Sequence, residues 1–525
     1  MGPERNLFTL LDRAARGPWA ARPAFHFEGE TRTYAQLRER SLRVANALRG
    51  IGVAPGDRVA VLLGNRHEWP ETLFGLAAAG AVCVPVNVLL RADEVAHLIT
   101  DSGASALVVD ALGERLLPDV PNLPRTLVTI GAVAVPGGSE AHDYEALLAA
   151  ASADPLPGPG LQDLCVLYYS SGTTGLPKAA AHTHDGVLWN SIHQVPDLRL
   201  TEDDHYLVIP SLSWAAGFNN LVFALMYIGG VSTLLPTGGM NVERLVGAFE
   251  RSGATHAMLV PTLLKQLLSE PAALARLRES NLRWIVSGAE PVPKTVIQQL
   301  QAELPDCRVV QGYGLSEFPT IATILQPEDA VAHAGSAGQA CSITQMAIQL
   351  DDGTVAACGE GEILLRTPAT MNGYYRRPEE TEAAFEGGWL HTGDLGRLDE
   401  QGYVEITGRK KDMIISGGLN VYPKEAEEVI YRQGGITEAA VVGVPDERWG
   451  EVAVAVVVPG PDGVDEAALL AACKERLASY KCPRAVLIHE DPLPRNPSGK
   501  VLKRELRPWA AERVQTINTP EVPSA

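Results

Sequence analysis

The chain lacks several features that would place it in a familiar class of protein. Its seven cysteines include no C-x-x-C pair, which argues for reduced thiols and against a zinc site or a disulfide framework. Its longest apolar runs, such as residues 453–458, have only the length of a strand, so neither a signal peptide nor a transmembrane span is expected. The net charge of −19 argues against nucleic acid or an anionic membrane surface as the main partner. We therefore expect a cytoplasmic protein, in which local clusters of Lys and Arg could still bind anionic substrates.

What the chain does contain is an alternation of short apolar runs with helical patterns. Residues 59–63, 81–85 and 106–109 have the composition of strands, and residues 69–79 and 94–100 between them have helical patterns. The alternation continues as far as residue 287 and predicts parallel α/β layers. A length of 525 residues predicts more than one domain.

Beyond residue 340 the pattern changes. Glycines become frequent between short apolar runs, which predicts a smaller β-rich subdomain. Helical patterns at 423–432 and 466–478 then alternate with strand patterns, and together they predict a small α+β unit. Its strands are predicted at 439–442, 452–458 and 485–488. The tail, residues 516–525, is expected to be frayed.

The segment 168–178 carries the strongest chemical signal. It packs four aliphatic hydroxyls, two glycines and Lys178 into eleven residues, directly after the apolar run 164–167. Glycines let a phosphate approach backbone N–H groups, hydroxyls donate to phosphate oxygens, and a lysine adds a point charge. The segment therefore predicts a loop that binds a nucleotide polyphosphate, although a flexible surface loop is the alternative. It is not a Walker A loop, because neither Ser nor Thr follows Lys178.

Four further segments could complete a site around this loop. Glu317 could hold Mg²⁺, a hard cation that prefers oxygen ligands, and Asp394 could accept hydrogen bonds from ribose hydroxyls. Residues 408–412 place cations on a turn, and Lys500 lies on a short glycine loop near the C-terminus. Each segment taken alone is equally compatible with a solvated charged surface.

Taken together, these motifs resemble those of the adenylate-forming enzymes, which include acyl-CoA synthetases, peptide-synthetase adenylation domains and firefly luciferase. The resemblance covers residues 37–506, and the motifs stand in the family's order and at its spacing. It implies an α/β fold, with parallel α/β layers plus a β-rich subdomain in a large N-terminal domain, residues 1–410. A small, mobile α+β C-terminal domain, residues 411–525, would follow, with the hinge at Lys411. The resemblance also implies ATP, Mg²⁺ and coenzyme A, a small carboxylic acid as substrate, and a monomer or homodimer.

The same resemblance assigns roles to individual residues. Lys178, Glu317 and Lys500 would be catalytic, and Lys500 would bridge the carboxylate and the α-phosphate during adenylation. Ser170 and Glu317 would lie next to Mg²⁺. The residues implied in ATP binding are Ser170, Ser171, Gly172, Thr173, Thr174, Gly175, Lys178, Gly288, Ala289, Glu290, Gln311, Gly312, Tyr313, Gly314, Ser316, Asp394, Arg409 and Lys500. Those implied in acyl binding are Trp214, Gly217, Gly288 and Gly314, and those implied in CoA binding are Ser416, Gly417 and Gly418.

The chemistry of the implied reaction explains these residue types. A carboxylate does not react with a thiol, because its leaving group would be oxide. Attack on the α-phosphate of ATP forms an acyl-adenylate and expels pyrophosphate, and cations must offset the repulsion between the two anionic reactants. The CoA thiol then attacks the mixed anhydride. The family rotates its C-terminal domain between these half-reactions, so that residues 416–418 replace Lys500 and shape the pantetheine tunnel.

The chain departs from the family pattern most clearly at Trp214, where most members carry His. An indole is larger than an imidazole and is not a base, so Trp214 could gate or narrow the acyl channel, and a core tryptophan is the alternative. Residues 211–230 include no acidic residue, which argues against a free α-amino acid as substrate. Ala179 and Ser316 are small departures with little expected effect. His182 and His184 are predicted to be structural, because no further ligand lies near them in the sequence.

Three functions remain open on the sequence. The leading hypothesis is an ATP-dependent acid–CoA ligase for an apolar fatty, alicyclic or aryl acid. The alternative is an acyl-AMP ligase that loads a carrier-protein thiol, although that family often carries an insertion before the hinge that is missing here. The third is a nucleotide-binding regulatory protein without ligase activity, against which the intact set of charged motif residues argues. Those residues are Lys178, Glu317, Asp394, Arg409 and Lys500.

Overall fold

The computed structural model describes residues 5–170, 176–288, 292–417, 419–446, 448–461, 463–495 and 500–518. Its chain divides into two compact units. The first comprises Met1–Ala347, Leu364–His391 and Asp399–Val404, and the second comprises Ile348–Ile363, Thr392–Leu398 and Glu405–Ala525.

The first unit is built from two large sheets with helices between the strands. Its strands are β1 (Pro23–Phe27), β2 (Glu30–Thr33), β3 (Arg58–Leu62), β4 (Val82–Pro85), β5 (Ala106–Asp110), β6 (Thr126–Ile130), β7 (Glu140–Asp143), β8 (Leu164–Ser170), β9 (Lys178–Thr183), β10 (His205–Val208), β11 (Val231–Leu234), β12 (His256–Met258), β13 (Trp284–Gly288), β14 (Arg308–Leu315), β15 (Phe318–Leu325) and β16 (Gln339–Ala340). Its helices are α1 (Leu7–Arg16), α2 (Tyr34–Gly50), α3 (Glu68–Ala79), α4 (Ala92–Ser102), α5 (Ala111–Glu114), α6 (Tyr144–Ala150), α7 (His184–Asp197), α8 (Ala215–Asn219), α9 (Val222–Ile228), α10 (Val242–Ser252), α11 (Pro261–Leu268), α12 (Pro271–Arg278), α13 (Lys294–Glu303) and α14 (Pro378–Ala384).

Both sheets of the first unit are mainly parallel, as predicted. One has the strand order β7-β6-β5-β3-β4-β8-β9, and the other has the order β16-β15-β14-β13-β12-β10-β11-β1-β2. Strands such as β3 are apolar and almost wholly buried, because helices cover both faces of a parallel sheet. Each sheet ends in an antiparallel hairpin, β8–β9 in the first and β14–β15 near the edge of the second. These two hairpins carry the predicted phosphate loop and Glu317.

Local signals in the sequence set where the helices begin. At the start of α2, the Thr33 side chain accepts from the Gln36 N–H at 3.2 Å, and the Gln36 side chain accepts from the Thr33 N–H at 2.9 Å. This reciprocal capping box satisfies two donors that the first turn of a helix leaves unpaired. The buried faces of α1, α2, α3 and α9 then pack into a single core around large side chains. Trp69, Phe74, Phe218 and Phe223 are among its largest members.

The second unit holds two smaller sheets. Its strands are β17 (Gln345–Gln349), β18 (Val355–Ala356), β19 (Gly359–Arg366), β20 (Leu390–Leu398), β21 (Val404–Arg409), β22 (Ile414–Ser416), β23 (Leu419–Val421), β24 (Ile436–Asp446), β25 (Gly450–Pro459) and β26 (Ala485–Ile488), some of which begin or end in the first unit. Its helices are α15 (Pro423–Tyr431), α16 (Glu466–Arg476) and α17 (Lys503–Asn518). One sheet has the order β18-β17-β19-β20-β21, and the other has the order β23-β22-β25-β24 with β26 beside β25.

The long apolar run in β25 follows from its burial on both faces. Alternate residues point to opposite sides of a strand. Val454 and Val456 pack with α17 residues on one side, while Ala455 and Val457 pack with α15 and α16 residues on the other. The strand therefore needs apolar residues at every position, which is why it reads as a continuous hydrophobic run.

Most predicted elements are confirmed within a residue or two, including the β-rich segment after residue 340 and the α+β unit. No pattern in the sequence predicted α17, which extends to Asn518 and so includes the first three residues of the tail that was expected to be frayed. Residues 519–525 lie outside the described part of the chain. All seven cysteines are free thiols, and Cys358 is exposed. Among the described helices, none combines the length and hydropathy needed to cross a membrane.

Candidate active site

Glu317 lies at the tip of the β14–β15 hairpin, in the two-residue turn between the strands. Its Oε1 accepts a hydrogen bond from Ser170 Oγ at 3.2 Å and another from the Tyr374 hydroxyl at 2.9 Å. Ser170 ends β8, so two residues separated by 147 positions are brought together by the two hairpins. The structure thus places side by side the two oxygen-bearing side chains that the sequence predicted near Mg²⁺. Tyr374 was not predicted.

Lys178 begins β9 and stands directly across the β8–β9 ladder from Ser170. Its Nζ lies 3.8 Å from a carboxylate oxygen of Glu380 and 5.5 Å from the centre of the Tyr374 ring. Its side chain is only 17% exposed, which strengthens its interaction with a nearby charge. The predicted phosphate-binding residues Ser171, Gly172, Thr173, Thr174 and Gly175 lie outside the described residues.

A buried histidine forms a hydrogen bond to the hairpin that carries Glu317. His182 is fully buried, and its Nε2 lies 2.8 Å from the Ser316 carbonyl oxygen. Burial lowers the pKa of His182 to about 4, so the neutral ring donates from Nε2 to that carbonyl at physiological pH. His184 has a similar structural contact, since its Nδ1 accepts from the Leu7 N–H at 3.1 Å. These contacts agree with the structural roles predicted for the two histidines.

Two of the segments predicted to bind ATP are neighbours in the large sheet. Strands β13 and β14 are parallel, with Gly288 paired to Gly312 and Ser287 paired to Gln311. Gln311 is buried, and its Oε1 accepts from the Val292 N–H at 2.9 Å. Tyr313 follows on β14 and is half-buried. Ala289 and Glu290 lie outside the described residues.

Gly314 occupies a position that no other residue could fill. A Cβ built there would collide with the Thr320 carbonyl oxygen on β15. The β14–β15 register also shifts between Tyr313 and Leu315, which marks an irregularity in the ladder just before the turn. The glycine therefore permits the close approach of two strands that places Glu317 at the tip.

The predicted acyl-binding segment leads into helix α8. Trp214 is the residue before the first turn, and its backbone N–H donates to the Ser211 carbonyl at 3.1 Å. The side chain is half-buried, whereas Gly217, three residues on, is buried within the helix. The half-buried Trp214 differs in this respect from the core residue Trp69, which is fully buried.

In the second unit, Asp394 and Arg409 form an ion pair with 2.6 Å between Oδ1 and Nε. The carboxylate is 3% exposed and the guanidinium is 39% exposed, so the arginine reaches solvent while the aspartate anchors it. Glu362 supports the pair from the adjacent strand, accepting from the Gly393 N–H at 3.0 Å and from Lys410 Nζ at 2.9 Å. Sequence reasoning missed Glu362, because a single glutamate in a strand carries no distinctive pattern.

The remaining predicted residues of the second unit lie on turns. Lys411 sits in a 3₁₀ turn between β21 and β22, and its carbonyl accepts from Arg507 Nη2 at 3.0 Å. Ser416 is buried at the end of β22, and Gly417 has a φ of +59°. A Cβ at Gly417 would lie 2.7 Å from the Trp449 indole, so the glycine lets this ring pack against the backbone. Lys500 is exposed, and Gly418 lies outside the described residues.

Comparison with known proteins shows the family to which the chain belongs. A family model described as AMP-binding enzyme matches residues 11–375, and its C-terminal domain model matches residues 425–500. The long-chain-fatty-acid–CoA ligase FadD13 of Mycobacterium tuberculosis (strain ATCC 25618 / H37Rv) is 37% identical, over 90% of this chain and 92% of that protein. The fatty acid–[acyl-carrier-protein] ligase ScoC of Streptomyces coeruleorubidus is 36% identical, over 92% and 93%.

A solved structure supports the same assignment. The o-succinylbenzoate CoA synthetase MenE of Bacillus subtilis, in complex with the acyl-adenylate intermediate OSB-AMP, matches with a TM-score of 0.82 and 30% identity. The match covers 96% of this chain and 98% of that chain. The chain therefore belongs to the AMP-binding enzyme family, within the adenylate-forming superfamily, and is an AMP-forming acyl-CoA synthetase.

Proposed function

We propose that this enzyme activates an apolar carboxylic acid with ATP and transfers the acyl group to CoA. The observation that carries the proposal is the junction of the two hairpins, where Ser170, Glu317 and Lys178 stand together in the first unit. Two oxygen ligands and a cation close together support the proposal, because such groups suit the phosphates of a nucleotide and their metal ion. The carboxylic acid substrate is a fatty, alicyclic or aryl acid, because the segment around Trp214 offers apolar and small side chains and no carboxylate.

The side chains at this junction fit a magnesium ion. A hydroxyl and a carboxylate are hard oxygen donors of the kind that Mg²⁺ prefers, and Ser170 and Glu317 would hold it. When bound, the ion would offset negative charge on the ATP phosphates. Lys178, the cross-strand partner of Ser170, adds a positive charge, and together these groups favour approach of the anionic acid.

The roles proposed for residues in the second unit rest on the family resemblance, and the chemistry of the side chains is compatible with them. The buried Asp394 carboxylate accepts hydrogen bonds from ribose hydroxyls, and Arg409 is held beside it. Lys500 supplies positive charge at the α-phosphate during adenylation. Lys411 is the hinge about which residues 411–525 rotate, after which the turn at Ser416 and Gly417 guides the pantetheine arm.

A carrier-protein thiol is the competing acceptor, and the likeness to ScoC is the observation that favours it. The course of the chain at the hinge favours CoA. Strand β21 ends at Arg409, the 3₁₀ turn occupies Lys410–Asp412, and β22 begins at Ile414, so no inserted segment separates them. We place the enzyme in the cytoplasm because its cysteines are free thiols, and we expect a monomer or homodimer from the family resemblance alone.

The proposal is tested with a panel of acids in two assays. Acid-dependent exchange of pyrophosphate into ATP measures the first half-reaction, and AMP release on adding CoA or a phosphopantetheinylated carrier protein measures the second. We expect exchange with apolar acids and AMP release with CoA. Exchange followed by release only with the carrier protein would assign the enzyme to the acyl-AMP ligases. Absence of exchange with every acid would overturn ligase activity.

A further inference from the structure

Tyr374 belongs to a short segment that extends the sheet of the phosphate loop. Residues 372–375 run antiparallel to β9, with a bridge between Ala180 and Tyr374. The Asn372 N–H donates to the Ala181 carbonyl at 2.7 Å, the Ala181 N–H to Gly373 at 2.9 Å, and the Tyr375 N–H to Ala179 at 2.9 Å. This pairing brings a piece of chain from far along the sequence next to β9, the strand that begins at Lys178.

The alternation of side chains along this segment separates its two tyrosines. Tyr375 packs against the apolar cluster on one side of the sheet, which includes residues of β3, β5 and β9. Tyr374 points to the other side, where its hydroxyl donates to Glu317 Oε1 at 2.9 Å and its ring lies 5.5 Å from Lys178 Nζ. Met371, the residue before this segment, also holds the hairpin tip, because its N–H donates to the Glu317 carbonyl at 2.8 Å.

The two hydrogen bonds at Glu317 end on the same oxygen. Ser170 Oγ and the Tyr374 hydroxyl are 3.2 Å and 2.9 Å from Oε1, and a carboxylate oxygen has two lone pairs to offer. Among the described hydrogen bonds, none ends on Oε2. The carboxylate is therefore held through one oxygen, and its other oxygen remains for a cation.

We infer that Tyr374 is a positioning residue for the site, which it serves by fixing the Glu317 carboxylate through Oε1 and by keeping Lys178 beside its ring. The inference rests on the proposed function, in which Glu317 holds Mg²⁺ and Lys178 faces the ATP phosphates. Groups that orient a metal ligand typically change metal affinity 10- to 100-fold when removed. A cation over an aromatic face is attracted by the ring, so the ring itself limits where the ammonium group can lie.

The test compares Tyr374→Phe, which removes only the hydroxyl, with the matched variant Tyr375→Phe on the opposite side of the sheet. The Mg²⁺ concentration for half-maximal pyrophosphate exchange should rise about tenfold or more in Tyr374→Phe and stay at the wild-type value in Tyr375→Phe. The KM for the acid should not change. Excess Mg²⁺ should restore the wild-type rate in Tyr374→Phe. A loss of folded protein would instead lower the exchange rate at every Mg²⁺ concentration, and excess Mg²⁺ would not restore it.

A second measurement does not depend on turnover. The rise in melting temperature on adding ATP is recorded across a Mg²⁺ titration and in EDTA, and Tyr374→Phe should need about tenfold more Mg²⁺ for the same rise. In a Glu317→Gln background, adding Tyr374→Phe should have no further effect if the tyrosine acts through that carboxylate. An unchanged Mg²⁺ requirement in Tyr374→Phe by both measurements would overturn the inference. A wild-type enzyme that exchanges no pyrophosphate would instead overturn the proposed function, and the melting measurement would still decide the role of Tyr374.

Discussion

At the scale of single residues, Trp214 is the side chain that most distinguishes this chain from the family pattern. Its half-buried position before α8 leaves the indole partly accessible. In contrast, Trp69 is wholly buried among core side chains, where an indole contributes mainly to stability. The position of Trp214 therefore suggests an effect on substrate choice, which we expect to be separable from any effect on folding.

We predict that Trp214→Ala changes the ranking of acids more than the affinity for ATP. Removing the indole opens space, so wider or longer acids should gain and small acids should lose. One hydrophobic contact is worth about 1–3 kcal/mol, so selectivity between a short and a long acid should move by roughly ten- to two-hundred-fold. Specificity constants for the two acids provide the measurement, and Trp189→Ala, on the surface of α7, is the control. An unchanged ranking with a lowered melting temperature would show that Trp214 serves packing instead.

Lys500 gives a second prediction for a single residue. We expect Lys500→Ala to slow adenylate formation by roughly 100-fold or more, because a positive charge is lost where negative charge develops. Thioester formation from a supplied acyl-adenylate should be retained, since Lys500 acts in only one domain orientation. Each half-reaction is measured separately, with Lys474→Ala on α16 as the control. Equal losses in both half-reactions would contradict this role.

At the scale of elements, the turn between β21 and β22 is where a rotation of the C-terminal domain would be absorbed. Arg507, on α17, donates to the Lys411 carbonyl at 3.0 Å and lies 3.8 Å from Asp412. None of the described hydrogen bonds uses the Lys411 N–H. A proline at this position would therefore remove no observed bond while fixing φ.

Lys411→Pro should leave adenylation nearly intact and block thioester formation, because a fixed φ hinders rotation at the hinge. We expect the acyl-adenylate to accumulate when ATP and acid are supplied together with CoA. Lys411→Ala, which keeps the backbone free to rotate, should turn over like the wild type. Wild-type turnover in Lys411→Pro would mean that the hinge lies elsewhere.

The elements themselves were largely predictable, and parts of the site were not. Parallel strands such as β3 are covered on both faces, so their apolar runs mark them clearly. The contact between Ser170 and Glu317 joins two hairpins from different sheets, and only the resemblance to a known family predicted it. Tyr374 escaped prediction because its place depends on residues 372–375 pairing with β9, a long-range contact that no local pattern encodes. The helix α17 escaped because its sequence is largely polar and contains Pro508, so it shows no clear apolar period.

At the scale of the whole molecule, buried histidines should set the response to acid. Burial lowers the pKa of each of five histidines to about 4, compared with 6.5 for an exposed ring. They are His67, His182, His184, His205 and His256. Because the folded-state value lies below the unfolded one, the stabilisation is present above pH 6.5 and is lost as the pH falls from 6.5 to 4. The melting temperature should therefore drop steeply across that window.

His182→Gln should make this loss smaller, because a glutamine can still donate to the Ser316 carbonyl but does not take up a proton. From the two pKa values, His182 alone should cost about 2 kcal/mol between pH 7 and pH 5. Melting temperatures of the wild type and the variant are compared at both values of pH. His391→Gln is the control, because His391 also contacts a carbonyl oxygen but near the surface. The prediction would be refuted by equal pH-dependent drops in wild type and His182→Gln.

The distribution of the thiols has a practical consequence for studying this enzyme. Of its cysteines, Cys358 alone is exposed, Cys482 is half-buried, and the other five are buried. Burial also raises the pKa of Cys83, Cys165 and Cys307, which further suppresses their reaction with electrophiles. A maleimide dye should thus attach rapidly at one defined point without removal of any native cysteine. Adding one engineered cysteine beyond the hinge would give a donor–acceptor pair, with which the alternation of the C-terminal domain could be followed by energy transfer in single molecules.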